Sequence, residues 1–120
     1  MRARRSAAVL LVAGVAALAA VPTALGGSTP PKKRVTVADN FFDPMKFSVK
    51  KGTVVVWRWS ADNAETHGVK LVERPDGVKR FQSDPAVTDY SFRRTLRVRG
   101  RYKLICTYHR VLMRQTIVVK

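Results

Sequence analysis

The chain has one cysteine and two histidines in 120 residues. One cysteine excludes an internal disulfide. Because that cysteine is Cys106, a lipid-modified cysteine near the start is excluded as well. Acidic residues are also scarce, 8 Asp and Glu against 23 Lys and Arg, which leaves a formal charge of +15. No nucleophile–base pair, phosphate-binding loop or catalytic carboxylate dyad stands out, which argues against an enzyme. No stretch has the spacing of an amphipathic helix of normal length. The apolar run from Ala7 to Val21 is short for a membrane-spanning helix, which needs about 20 residues.

What is present begins with a leader. Arg2, Arg4 and Arg5 form a basic start, the apolar run follows, and then come the small residues Ala24, Gly26, Gly27 and Ser28. This is the layout of a secretory signal peptide, read here over residues 1–26. Arg4-Arg5 is a twin-arginine pair, although the residues after it match that export signal poorly. The expected destination is periplasmic or extracellular, and an uncleaved leader would anchor the chain in the membrane. Residues 27–34 read as a linker and residues 35–120 as a single domain. Without Arg2, Arg4 and Arg5 the charge is still +12. Such a surface is expected to attract an acidic redox partner protein, or an anionic membrane or wall polymer. Nucleic acid is not expected as a partner of an exported chain, and the domain is expected to be a monomer. A lone cysteine in an exported protein calls for a free thiol, an intermolecular bond or a metal.

The domain reads as strands. Val35-Thr36-Val37 opens one, Phe41 to Pro44 reads as a bend, and Phe47-Ser48-Val49 runs up to a Lys51-Gly52 turn. Thr53 to Trp59 alternates, with Val55, Trp57 and Trp59 on one face and Val54, Val56 and Arg58 on the other. Two apolar faces over most of that length suit a central strand. A polar loop, Asp62 to Glu65, then delivers His67, and Val69 to Val72 is extended again. Pro75-Asp76-Gly77 is a turn signal. The stretch from Phe81 to Tyr90 reads as irregular, with one helical turn expected between Ser83 and Val87. Phe92 to Arg99 reads as a strand with Leu96 and Val98 inward. Tyr102, Leu104 and Cys106 share the inner face of the next strand, and Thr116 to Lys120 closes the chain. Short strands between regular turns imply an all-β fold, a two-layer β-sandwich with Greek-key connections.

Four of the few residues able to bind a soft metal fall into one pattern. Cys106, His109 and Met113 form C-x2-H-x3-M, and His67 lies on a separate loop expected at the same end of the sandwich. One thiolate, two imidazoles and one thioether favour copper, with Cys106, His67 and His109 as a trigonal plane and Met113 as a weak axial ligand. Zinc would use the cysteine and histidines but not a thioether. Taken singly, a buried cysteine, a methionine or a loop histidine is usually structural. It is the combination, with its spacing, that points to a metal.

Residues 35–120 resemble a cupredoxin of the plastocyanin, pseudoazurin and amicyanin kind. Gly52-Thr53-Val54-Val55-Val56-Trp57 is similar to the family's strand before the first histidine, and Thr66-His67-Gly68-Val69 to its first-histidine loop. Ser91-Phe92 and Thr95-Leu96 resemble its penultimate hairpin. Gly100-x-Tyr102-x-x-x-Cys106 fits its signature before the metal loop, and Phe42-x-Pro44 is a weaker echo. The resemblance implies a type 1 copper ion cycling between Cu(II) and Cu(I) and one-electron transfer. It makes His109 the exit route and Val111 and Leu112 its apolar surround, with Arg110 and Arg114 steering an acidic partner. Two departures stand out. Three residues separate His109 from Met113, where members commonly have two or four. Gly68 stands where a polar residue commonly braces the ligand loops. Copper carriage without electron transfer, or a basic binding module without metal, are the alternative readings of the same residues.

Overall fold

The computed structural model describes residues 29–120. The signal peptide expected over residues 1–26 and the start of the expected linker lie outside the described residues. Eight strands follow: β1 Lys32–Ala38, β2 Phe41–Asp43, β3 Lys46–Val49, β4 Thr53–Trp59, β5 Lys70–Glu73, β6 Ser91–Leu96, β7 Gly100–Ile105 and β8 Arg114–Val119. They form two four-stranded sheets, ordered β2-β1-β4-β6 and β3-β8-β7-β5. Both sheets are mixed, with β1 parallel to β4 and β3 parallel to β8. Chain neighbours pair directly only at β1–β2 and β7–β8, and every other connection crosses between sheets.

The alternation in β4 explains its place. Val55, Trp57 and Trp59 are buried between the sheets. Val54 and Val56 are half-buried on the outer face, and Arg58 is exposed. β4 is flanked on both sides, by β1 and β6, as its two apolar faces imply. Val35 and Val37 of β1, Phe92 and Leu96 of β6, Leu71 of β5, Tyr102 and Leu104 of β7, and Ile117 and Val119 of β8 complete the core. Each large apolar side chain removed from water in this way contributes about 1.5–3 kcal/mol.

Several local readings of the sequence need correction. β1 starts at Lys32, so Lys32-Lys33-Arg34 belongs to a strand pairing with Val54, Val55 and Val56. Lys32 and Arg34 are exposed on its outer side, and Lys33 is half-buried with its ammonium 5.3 Å from the centre of the Phe47 ring. Phe41–Asp43 is a short strand on β1 rather than a bend. No helix occurs among the described residues, and the turn expected between Ser83 and Val87 is replaced by an isolated bridge between His67 and Ala86. Val98 is not inward but 37 % exposed. The reason is topological, because β6 and β7 belong to different sheets and the chain must leave the first after Leu96 to reach the second. Tyr102 secures this crossing by donating its hydroxyl to the Val98 carbonyl at 2.6 Å. Gly100 has φ of +137°, and a Cβ there would lie 2.7 Å from the Pro75 ring, so only glycine fits.

One polar bridge crosses the core between the sheets. The Trp57 indole N–H on β4 donates to Gln115 Oε1 on β8 at 2.8 Å, and Gln115 Nε2 donates to the Pro44 carbonyl at 2.7 Å. Gln115 is 2 % exposed, so its two bonds replace water for three buried or half-buried polar groups. Gln115→Leu keeps the volume and strands the indole N–H and the carbonyl. It is expected to destabilise the domain by about 2 kcal/mol, read as a lower urea midpoint at unchanged slope.

Candidate metal centre

Cys106 stands one residue past β7, where the inward alternation of Tyr102 and Leu104 carries its side chain into the core. The chain then folds into two consecutive turns that share His109. The His109 amide donates to the Cys106 carbonyl at 3.2 Å, and the Met113 amide to the His109 carbonyl at 2.9 Å. The Cys106 amide closes the loop by donating to the Met113 carbonyl at 3.0 Å, after which β8 begins. The three-residue spacing after His109 is thus a single closed turn. Met113 is fully buried at its end, and its backbone is bonded to both Cys106 and His109.

His67 comes from the connection between β4 and β5, and its backbone is bonded throughout. Its amide donates to the Ala86 carbonyl at 2.9 Å. Its own carbonyl accepts from the Ala86 amide at 3.1 Å and from the Trp59 indole at 3.2 Å. Asn63, buried in the loop before it, donates to the carbonyls of Val37 and Val87, both at 3.0 Å. Downstream, Ser83 Oγ accepts from the Val69 amide at 2.9 Å. Asp62 and Glu65 are exposed on this loop, as a solvated polar segment should be.

These anchors bring three donors together. Cys106 Sγ lies 3.7 Å from His67 Nδ1 and 3.6 Å from His109 Nδ1, and the three atoms all lie within 4.8 Å of one another. Bonds of about 2.3 Å to sulfur and 2.0–2.1 Å to nitrogen, arranged trigonally around one ion, separate sulfur from nitrogen by roughly 3.7 Å. The sulfur–nitrogen spacings therefore match the edges of a coordination triangle. Cys106 and His67 are fully buried, and the His109 side chain is 19 % exposed. The donor set of thiolate and two imidazoles suits copper.

The distal nitrogens of both rings face carboxylates. His67 Nε2 lies 2.7 Å from Asp39 Oδ1, and His109 Nε2 lies 3.5 Å from Glu65 Oε2. Asp39 also accepts the amides of Ala64, at 2.8 Å, and Glu65, at 3.1 Å. The Ala64 amide, followed by the His67 ring, holds its carboxyl below the usual carboxylate range. Asp39, Glu65 and His67 form a second cluster of possible ligand atoms, but it uses the opposite nitrogen of His67 from the one facing Cys106. Sequence reasoning missed Asp39. It follows β1 by one residue and is 28 positions from His67, and the scarcity of acids was the only signal available.

Gly68 packs against the metal loop. A Cβ there would sit 3.1 Å from Thr107 Oγ1, and that hydroxyl is buried with no hydrogen-bond partner among the described residues. Around His109 the surface is apolar, with Val111 77 %, Leu112 68 % and Tyr108 53 % exposed. Arg110 and Arg114 are exposed beside it.

A mixed two-sheet sandwich with a buried His-Cys-His triad at the end of β7 defines a cupredoxin with a type 1 copper site. The sequence profile of copper-binding proteins of the plastocyanin/azurin family matches residues 32–120, and the chain belongs to that family. Among solved structures, a reduced amicyanin variant is 25 % identical with a TM-score of 0.64, covering 73 % of this chain and 81 % of that one. A pseudoazurin from Sinorhizobium is 21 % identical with a TM-score of 0.62, covering 75 % of this chain and 74 % of that one. A purple cupredoxin from Nitrosopumilus maritimus is 20 % identical with a TM-score of 0.61, covering 73 % and 99 %. A copper-containing nitrite reductase from Thermus scotoductus matches 83 % of this chain over 25 % of its own length, at 20 % identity and a TM-score of 0.67. A search of curated protein sequences gives no significant match.

The unpartnered hydroxyl beside the triad gives a direct test. Thr107→Val removes a buried polar group while keeping its shape. It is expected to stabilise the metal-free domain by about 1 kcal/mol, seen as a higher thermal midpoint.

Proposed function

We infer that the protein is an exported carrier of single electrons. The observation that carries this reading is the convergence of Cys106 Sγ with His67 Nδ1 and His109 Nδ1 into one triangle. Copper bound there supplies a one-electron couple between Cu(II) and Cu(I). The chain's own part is to hold three donors at fixed spacing, so that little rearrangement accompanies a change of charge. Cys106 and His67 are sealed from solvent, and His109 brings one ring edge to the surface. Exposed Tyr108, Val111 and Leu112 of the same loop offer an apolar contact area, and Glu65 stands at the ring's distal nitrogen.

Met113 is proposed to add a thioether to the donors that would hold the ion, supported by its burial at the end of the metal loop. Its thioether would be the donor that the loop spacing affects most. An enzymatic role is not proposed. Both histidines of the chain are already in the triad, and the nitrite reductase that shares the fold is a far longer chain, only 25 % of which is matched. The redox partner is expected to be acidic, because Arg110 and Arg114 flank the contact area on a chain of formal charge +15. Anionic membrane or wall surfaces suit the same charge. Export rests on the leader, read over residues 1–26.

Two measurements test the reading. Titration of the domain with Cu(II) is expected to give one equivalent of binding and an intense visible thiolate-to-copper band, both lost in Cys106→Ser. A colourless protein, or one whose Cys106→Ser variant binds copper equally well, rejects it. Electron-transfer rates with an acidic redox protein are expected to fall as ionic strength rises, since surface charges are screened over about 10 Å at 0.1 M salt. A flat profile removes the steering role of the arginines.

A further inference from the structure

We propose that Asp39 is a positioning residue of the copper centre, which fixes the His67 ring before metal arrives and biases the bound ion toward its oxidised state. The proposal rests on the copper reading above, but its first half concerns the metal-free protein alone.

The geometry is specific. Ionised, Asp39 has acceptors and no donor, so the 2.7 Å contact to His67 Nε2 requires the proton to sit on Nε2. That leaves Nδ1 as a lone pair, and Nδ1 is the atom facing Cys106 Sγ at 3.7 Å. The carboxylate therefore selects the tautomer that ligation needs. Its oxygens also accept the Ala64 and Glu65 amides, at 2.8 and 3.1 Å, in the loop that leads to His67. One side chain thus fixes both the ring and the backbone that carries it. Three N–H groups converge on this carboxylate, and an amide in its place has only one oxygen to offer them.

The burial of the pair strengthens the contact. His67 is fully buried, and the Asp39 side chain is 30 % exposed, so the pair is only partly screened by water. A carboxylate on the distal N–H raises the basicity of the ligating nitrogen, and such outer contacts commonly govern metal affinity by about 10–100-fold. The more basic, electron-rich ligand favours Cu(II) over Cu(I). Glu65 approaches His109 differently. It is half-exposed and 3.5 Å away, so its influence is expected to be smaller. The two ligand histidines are therefore backed unequally, with the buried one held and the exposed one free to adjust.

The test compares the parent with Asp39→Asn and Asp39→Glu. In the metal-free parent, nitrogen-15 spectra of the histidine rings are expected to show His67 as a single Nε2–H tautomer, its ring proton slow to exchange. A mixture of tautomers in the parent overturns the positioning half without any variant. In Asp39→Asn the tautomer is expected to become mixed and the ratio of Cu(II) to Cu(I) affinity to fall about tenfold, equivalent to a rise in potential of about 59 mV for one electron. Asp39→Glu, which restores the charge, is expected to recover part of both. If Asp39→Asn keeps one tautomer and a ratio within twofold of the parent, the proposal fails. Should the parent take up no copper, the functional reading and the redox half fall together, and the metal-free spectra still decide the positioning half.

Discussion

The centre depends on how completely His67 is immobilised. Its amide, its carbonyl and its distal ring nitrogen are all engaged, by Ala86, Trp59 and Asp39. A side chain has few free torsions once its backbone and ring tip are both held, so the remaining nitrogen has one direction in which to point. That direction is toward the Cys106 sulfur. The other donors need less help, because Cys106 and His109 are close in sequence and share one closed loop. His67 is the donor brought from afar, and most of the irregular structure between β4 and β6 serves to bring it.

The sandwich supplies the frame for that work. Trp59 ends β4 and reaches the His67 carbonyl, and Asn63 ties the following loop to Val37 on β1 and to Val87. The aromatic cluster of Trp57, Phe81 and Phe92, with ring centroids 5.7 to 6.1 Å apart, fills the space between the sheets beneath it. Arg94 lies over the Phe92 ring at 4.3 Å, so one of the many cations covers the core as well as charging the surface. Core packing and ligand placement are therefore the same set of contacts seen from two sides.

Much of this was legible in the residues. The alternation of Thr53 to Trp59 and the inward set of Tyr102, Leu104 and Cys106 gave the strands their faces, because period two is a direct consequence of strand geometry. The donor triad was legible because soft ligands are so rare in this chain. What stayed hidden was settled by contacts between distant segments. Nothing local to Val98 tells that the chain must change sheets there. The bridge that displaces a helical turn near Ala86 depends on His67, which is 19 residues earlier. Asp39 looks like any turn residue until β1 is laid beside β4. The Gly68 gap was visible, but its effect on the Thr107 hydroxyl needed the two loops side by side.

The hydrogen bond that joins the Cys106 amide to the Met113 carbonyl has a wider consequence. It pinches the metal loop shut where β7 hands over to β8, so the residues inside behave as a self-contained insert on a rigid stem. The β7–β8 register is set by pairs that lie outside the insert, from Ile105–Arg114 to Gly100–Val119. The sandwich and the loop that closes the metal centre are in that sense separable parts of one chain.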